Sequence, residues 1–133
     1  MSFIAHFVEI RIAPRTGRLR MTRVVSVADC DRVVSPRTVP SQVIGGVVWA
    51  FGAATRERTE TDPQYGGFLN NDLADYVVPV SADIGDISVE FVDEPDPLAS
   101  NVGLKSVAAI ANAIFNATGK LIRKLPIRVE NLL

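Results

Sequence analysis

The sequence predicts an α+β fold: an N-terminal β-hairpin, one long helix, a mainly antiparallel sheet and a second helix near the C-terminus. Three observations predict it. Two stretches near the N-terminus alternate apolar and polar residues around a turn containing Pro14 and Gly17. The segment 37–55 is almost wholly apolar, and Val43, Val47, Phe51 and Ala54 recur in it at spacings of three and four. A second helical pattern runs from Leu104 to Thr118 and meets Gly119, a residue suited to a left-handed helix exit. The 133 residues, 47% of them hydrophobic, make one domain over 1–133 with enough apolar material for a core.

In the first strand, residues 3–12, Val8, Ile10 and Ile12 alternate with Phe7, Glu9 and Arg11. Pro14 presets a turn and Gly17 supplies its left-handed position. The return strand, 18–28, sets Leu19, Met21, Arg23 and Val25 against Arg20, Thr22, Val24 and Ser26. Residues 29–37 lead into the helix, with Cys30 as a small buried filler. Pro40 and Ser41 suit the helix start. Ile44, Val48 and Thr55 widen its apolar stripe. Gly45 and Gly46 stand out, because two interior glycines cost about 1 kcal/mol each against alanine. They would let another backbone or a ligand come close.

Residues 56–62 suit an exposed strand, and Asp62 to Gly67 a turn cluster. Asn70, Asn71, Asp72 and Asp75 lack the alternation and closing glutamate of an EF-hand loop. Their expected work is to fix an irregular loop through side-chain-to-backbone bonds. Residues 77–80 suit a short strand and 87–92 a clear one, with Ile87, Val89 and Phe91 on one face. Asp93 to Pro97 reads as a solvated connector. In the second helix Val107, Ile110, Ala111, Ile114 and Phe115 share a face. Residues 121–127 run out as an extended tail.

Several classes of function lose support. A net charge of −1 makes no electrostatic case for nucleic acid or an anionic membrane. No apolar run reaches a membrane span, and the N-terminus lacks the pattern of a signal peptide, so a cytoplasmic protein is expected. One cysteine and one histidine exclude a disulfide framework, a CxxC site and a multi-histidine cage.

Particular words, in their order, carry more. Ala5-His6-Phe7-Val8-Glu9 opens the hairpin, and Ala28-Asp29-Cys30-Asp31-Arg32-Val33-Val34-Ser35-Pro36 follows it. Ser41-Gln42-Val43-Ile44-Gly45-Gly46 begins the helix. Phe68-Leu69-Asn70-Asn71-Asp72-Leu73-Ala74-Asp75-Tyr76 and Glu94-Pro95-Asp96-Pro97 come later. Ala108-Ala109-Ile110-Ala111-Asn112-Ala113 and Leu125-Pro126-Ile127 close the chain. This ordered set resembles the C-terminal part of the molybdopterin-binding large subunit of the xanthine dehydrogenase and aldehyde oxidoreductase family, the molybdenum hydroxylases.

The resemblance covers nearly the whole chain. It implies a molybdopterin cofactor, in some members the cytosine dinucleotide form. It implies oxidation of aldehydes or N-heterocycles with water-derived oxygen. Gln42 matches the family glutamine that contacts the cofactor, and Gly45 and Gly46 match its glycine pair. The implied partners are the remaining large-subunit region and iron–sulfur and flavin subunits. The family's catalytic glutamate lies in a Gly-x-Gly-Glu segment before the last helix. Here Asn101-Val102-Gly103-Leu104-Lys105 runs straight into Ser106, about ten residues shorter, so no catalytic residue is assigned. Two readings follow: a cofactor-binding unit inactive alone, or a non-catalytic, oligomeric interaction domain. Either would expose apolar faces, expected on the hairpin and last helix, and would self-associate when alone.

Overall fold

The computed structural model describes residues 3–30, 33, 35–94 and 107–132. Three strands, β1 (Phe3–Ile12), β2 (Leu19–Asp29) and β3 (Ile84–Phe91), form one sheet in the order β1-β2-β3. Two helices, α1 (Thr38–Thr55) and α2 (Val107–Thr118), cover one face of it. The α+β class and the hairpin stand as predicted. Gly17 takes a left-handed φ of 63°, and its N–H donates to the Ala13 carbonyl at 2.8 Å.

β3 lies parallel to β2, whereas β1 and β2 are antiparallel. The cause is the crossover. Parallel neighbours need a long connection, and α1 with the loop after it carries the chain back before β3 begins. β3 starts at Ile84, three residues earlier than its clearest alternation.

The face assignment of β2 needs a correction. Opposite β1 the register passes from Glu9↔Arg23 to Ile10↔Met21, so Thr22 is an extra residue, a β-bulge. Leu19 and Met21 face inward before it, and Val24, Ser26 and Ala28 after it. Arg23 and Val25 therefore leave the face of Leu19 and Met21. Gly85 lies beside the bulge: a Cβ there would collide with the Thr22 carbonyl and sit 3.0 Å from Thr22 Cα. A side chain is excluded by the close backbone approach of two strands.

The core joins both helices to the sheet. Met21 and Val24 of β2, Val47, Phe51 and Ala54 of α1, and Ile110 and Ile114 of α2 are buried together. Ala50 and Gly52 widen the buried stripe of α1, while Ile44 stands at its exposed margin. The helix begins at Thr38, before Pro40 and Ser41. Its cap residue is Arg37, with no side-chain cap bond, and the Ser35 carbonyl accepts from the N–H groups of Thr38 and Val39. Pro40 still falls among the first-turn residues whose N–H groups have no helical partner.

Four further expectations change. Residues 56–62 form no strand; Thr61 makes one bridge to Phe68. Residues 77–80 form none either, and Val77, Val78 and Val80 are exposed. The C-terminal segment is docked rather than extended: Ile127 is buried, and its N–H donates to the Ala54 carbonyl at 2.7 Å. In α2, Ile110 and Ile114 are fully buried but Phe115 stays 46% exposed. Gly119 closes that helix at φ 69° as expected, its N–H bonded to the Phe115 carbonyl. The predicted start of α2 at Leu104 and the segment Pro95–Pro97 lie outside the described residues.

Candidate cofactor-binding site

Helical spacing decides what the first half of α1 presents. Val43, Val47, Ala50 and Phe51 turn into the core. Gln42, Gly45, Gly46 and Trp49 fall at i, i+3, i+4 and i+7, which is one face of a helix. That face looks away from the sheet. Gln42 and Gly45 are exposed, Gly46 is half-buried, and Trp49 is 67% exposed. A Cβ built on Gly45 or Gly46 meets nothing within 4 Å. No packing inside the described residues requires these glycines. The stripe is a bare strip of helix backbone about 10 Å long, with an amide side chain at one end and an indole at the other. The amide can donate and accept. These residues are free to meet a group brought from outside, and they would hold it through Gln42 and the approachable backbone beside it.

Gly52 differs. A Cβ there would run into the Glu57 carboxylate and come 3.0 Å from Pro79 Cδ. The close approach in the second half of α1 is thus satisfied within the chain, by the loop that follows the helix.

That loop is organised by short polar side chains, as expected. Asp62 Oδ1 accepts from the N–H groups of Gln64 and Tyr65, and Asp72 Oδ1 from those of Ala74 and Asp75. Asn70 bridges two backbone positions: its Oδ1 accepts from the Glu60 N–H, and its amide nitrogen donates to the Arg58 carbonyl. Beside these bonds lies a shallow, open depression of about 470 Å³, lined by Thr59, Phe68, Asn70, Asn71, Asp72, Leu73 and Tyr76. Sequence reasoning missed this depression. Its only signal was the Asn/Asp cluster, whose side chains are also used to fold the loop. Tyr76 donates to Glu57 Oε2 at 3.3 Å. Desolvation first, and then the adjacent Glu57 charge, raise the phenol pKa above its ordinary value.

At the far end of α1, Arg56 pairs with buried Asp83 at 2.6 Å, and Asp83 Oδ2 accepts from the Val80 N–H. This pair ties the helix end to the start of β3. Cys30 is buried, in keeping with a filler role. Among the described residues no group of three or more His, Cys, Asp or Glu could hold a metal ion. Among them, too, no helix is long and apolar enough to cross a membrane.

Against this geometry, a family model described as the molybdopterin cofactor-binding domain matches residues 1–85. The chain belongs to that family. The match spans the hairpin, α1 and the loop depression, and so includes Gln42, Gly45 and Gly46. The molybdenum-binding subunit PaoC of the Escherichia coli aldehyde oxidoreductase is 41% identical over 99% of this chain, which is 19% of its own length. The putative xanthine dehydrogenase molybdenum-binding subunit XdhA of Escherichia coli is 29% identical over 98% of the chain and 18% of its own. Among solved structures, the aldehyde oxidoreductase of Desulfovibrio desulfuricans superposes with a TM-score of 0.83 at 28% identity, covering 99% of this chain and 15% of that one. The chain therefore spans about a fifth of the length of the curated relatives it matches. The molybdenum hydroxylase resemblance read from the ordered words is established at the level of family.

Proposed function

We propose that this molybdopterin cofactor-binding domain acts as one wall of a cofactor site in a molybdenum hydroxylase, an oxidoreductase of aldehydes or N-heterocycles. The observation that carries the reading is the bare strip at Gly45 and Gly46, lying inside the stretch that matches the family model. The cofactor, when bound, supplies the two-electron oxidation chemistry. The chain's own contribution is binding and orientation. The Gln42 amide bonds polar edges of the pterin, and the glycine backbone allows close approach. The dinucleotide form of the cofactor is part of this proposal, as is a cytoplasmic location.

The unit works with the remaining large-subunit region and with iron–sulfur and flavin subunits, and it is not active alone. Its site holds no catalytic glutamate in this reading, since the Gly-x-Gly-Glu segment has no counterpart between Asn101 and Ser106. That departure favours, as the second reading, a non-catalytic interaction domain that kept the fold.

One experiment separates the two. The chain replaces the aligned region of PaoC, and the purified protein is assayed for molybdenum and pterin. Cofactor retained by the chimera, and lowered at least about tenfold by Gly45→Leu with Gly46→Leu, supports the first reading. A folded chimera that holds no cofactor overturns it and leaves the second.

A further inference from the structure

The far end of α1 meets three other parts of the chain. The hairpin turn brings Thr16 and Arg18, the entry to β3 brings Asp83, and the C-terminal segment brings Ile127 and Val129. The Ile127 N–H bond to the Ala54 carbonyl holds that segment against the helix. Between these parts lies a cleft of about 480 Å³. Small-molecule sites occupy about 300–1,000 Å³ and combine an apolar lining with a few convergent polar groups.

The lining of this cleft divides in that way. Leu19, Phe51 and Ile127 are buried core residues and make an apolar wall. The charged lining is Arg18, Arg56 and Asp83, one positive charge in excess. Arg56 Nη2 lies 2.6 Å from Asp83 Oδ1, and Asp83 Oδ2 accepts from the Val80 N–H, so both oxygens of the aspartate are engaged. The guanidinium is not satisfied by this pair. Arg56 Nε is cut off from water and has no hydrogen-bond partner. A buried charged donor without an acceptor is costly and rare in a folded chain. It points to an acceptor that the described residues do not supply. The Arg56 side chain is 27% exposed, so part of the group is open to a ligand. Arg18, exposed beside it, has no carboxylate partner among the described residues.

We propose that this cleft binds a small monocarboxylate with an apolar body. Arg56 and Arg18 take the carboxylate, and the body lies against Leu19, Phe51 and Ile127. An apolar wall alone would accept any hydrocarbon, whereas the guanidinium groups select a planar anion. The single excess charge matches a monoanion; a phosphate dianion would leave negative charge uncompensated beside buried Asp83. The site lies about 20 Å along α1 from Gln42, and it does not depend on the cofactor reading.

Titration of the chain with 4-phenylbutyrate and with 4-phenylbutanol tests it, since the two share a body and differ in the anion. Binding is read from the NMR shifts of the Leu19, Ile127, Val129 and Leu132 methyl groups. The acid should saturate these shifts, and the alcohol should bind at least about tenfold more weakly. Val129→Trp, at a position 40% exposed on the cleft, should abolish binding and leave thermal unfolding unchanged. Arg18→Gln should weaken the acid roughly two- to fivefold and leave the alcohol as it was. Arg56→Lys keeps a charge for Asp83 but lacks the Nε–H, and should weaken the acid at least about tenfold. The Val129 and Arg18 variants decide the matter where that protein does not fold. Equal affinity for acid and alcohol overturns the proposal, because the cleft is then only apolar. Shifts confined to the loop around Leu73, or none at millimolar acid, overturn it as well. So does binding that appears only after removal of Leu133, since the chain's own last residue is then the occupant.

Discussion

His6 occupies an inward position on β1, where its Nδ1 lies 2.8 Å from the Oγ of fully buried Ser26. Burial lowers its pKa. The folded chain holds the ring neutral, whereas the unfolded chain protonates near the ordinary value of about 6.5. The unfolded state therefore binds more protons as the solution is acidified, and stability rises with pH across this window. It is full above pH about 6.5 and is lost as pH falls through that value toward the lowered folded pKa. Thermal unfolding at pH 7.5 and 5.5 should show the loss, and His6→Gln should flatten it; equal slopes would place the acid lability elsewhere. Gly85 gives a second prediction. Its neighbour is the Thr22 backbone, which cannot swing aside. Gly85→Ala should cost about 1–3 kcal/mol by overpacking, measured by denaturant unfolding, and a neutral substitution would mean the bulge can relax. Asp83 gives a third. Asp83→Ala removes the acceptor of both Arg56 and the Val80 N–H. The unsatisfied groups should cost about 1–3 kcal/mol, at the lower end because Arg56 retains some contact with water.

At the scale of elements, α1 carries the sharpest trade. Its glycine pair meets nothing in the chain, so Gly45→Ala and Gly46→Ala should each stabilise the isolated domain by about 1 kcal/mol through helix propensity. In the PaoC chimera the same changes should lower molybdenum content. Stabilisation with undiminished cofactor would assign the glycines no contact at all. Much of this element was legible in the sequence, since periodicity placed Val43, Val47, Phe51 and Ala54 inside. The helix start was not. Ser41 and Pro40 carry the signals of a first turn, but backbone bonds to the Ser35 carbonyl begin the helix earlier without any side-chain cap. The β2 faces were misread for a similar reason. A bulge adds one residue and reverses the phase of everything beyond it, and Thr22 has no composition that marks it. The loop depression was hidden because the residues that line it are also the ones that fold it.

Across the whole molecule, the exposed apolar surface is the feature that local pattern could not locate. The hairpin was expected to carry it, and Phe3 and Phe7 do. Among the described residues of the final helix, Phe115 is the large exposed hydrophobic. Much of the rest lies on the loop after α1, where Tyr65 is 81% and Leu73 82% exposed, with Phe68 and Leu69 beside them. Strand and helix periodicities announce a buried face, but an irregular loop has no period, so its apolar residues give no direction. Such a surface on an isolated domain favours association in water. The chain alone should therefore bind a hydrophobic dye in its folded state and show a concentration-dependent mass in light scattering. Leu69→Ser with Leu73→Ser should reduce both without lowering stability, because neither side chain is buried. A monodisperse monomer that ignores the dye would mean these side chains cover one another in solution, and that the loop needs no partner to close over it.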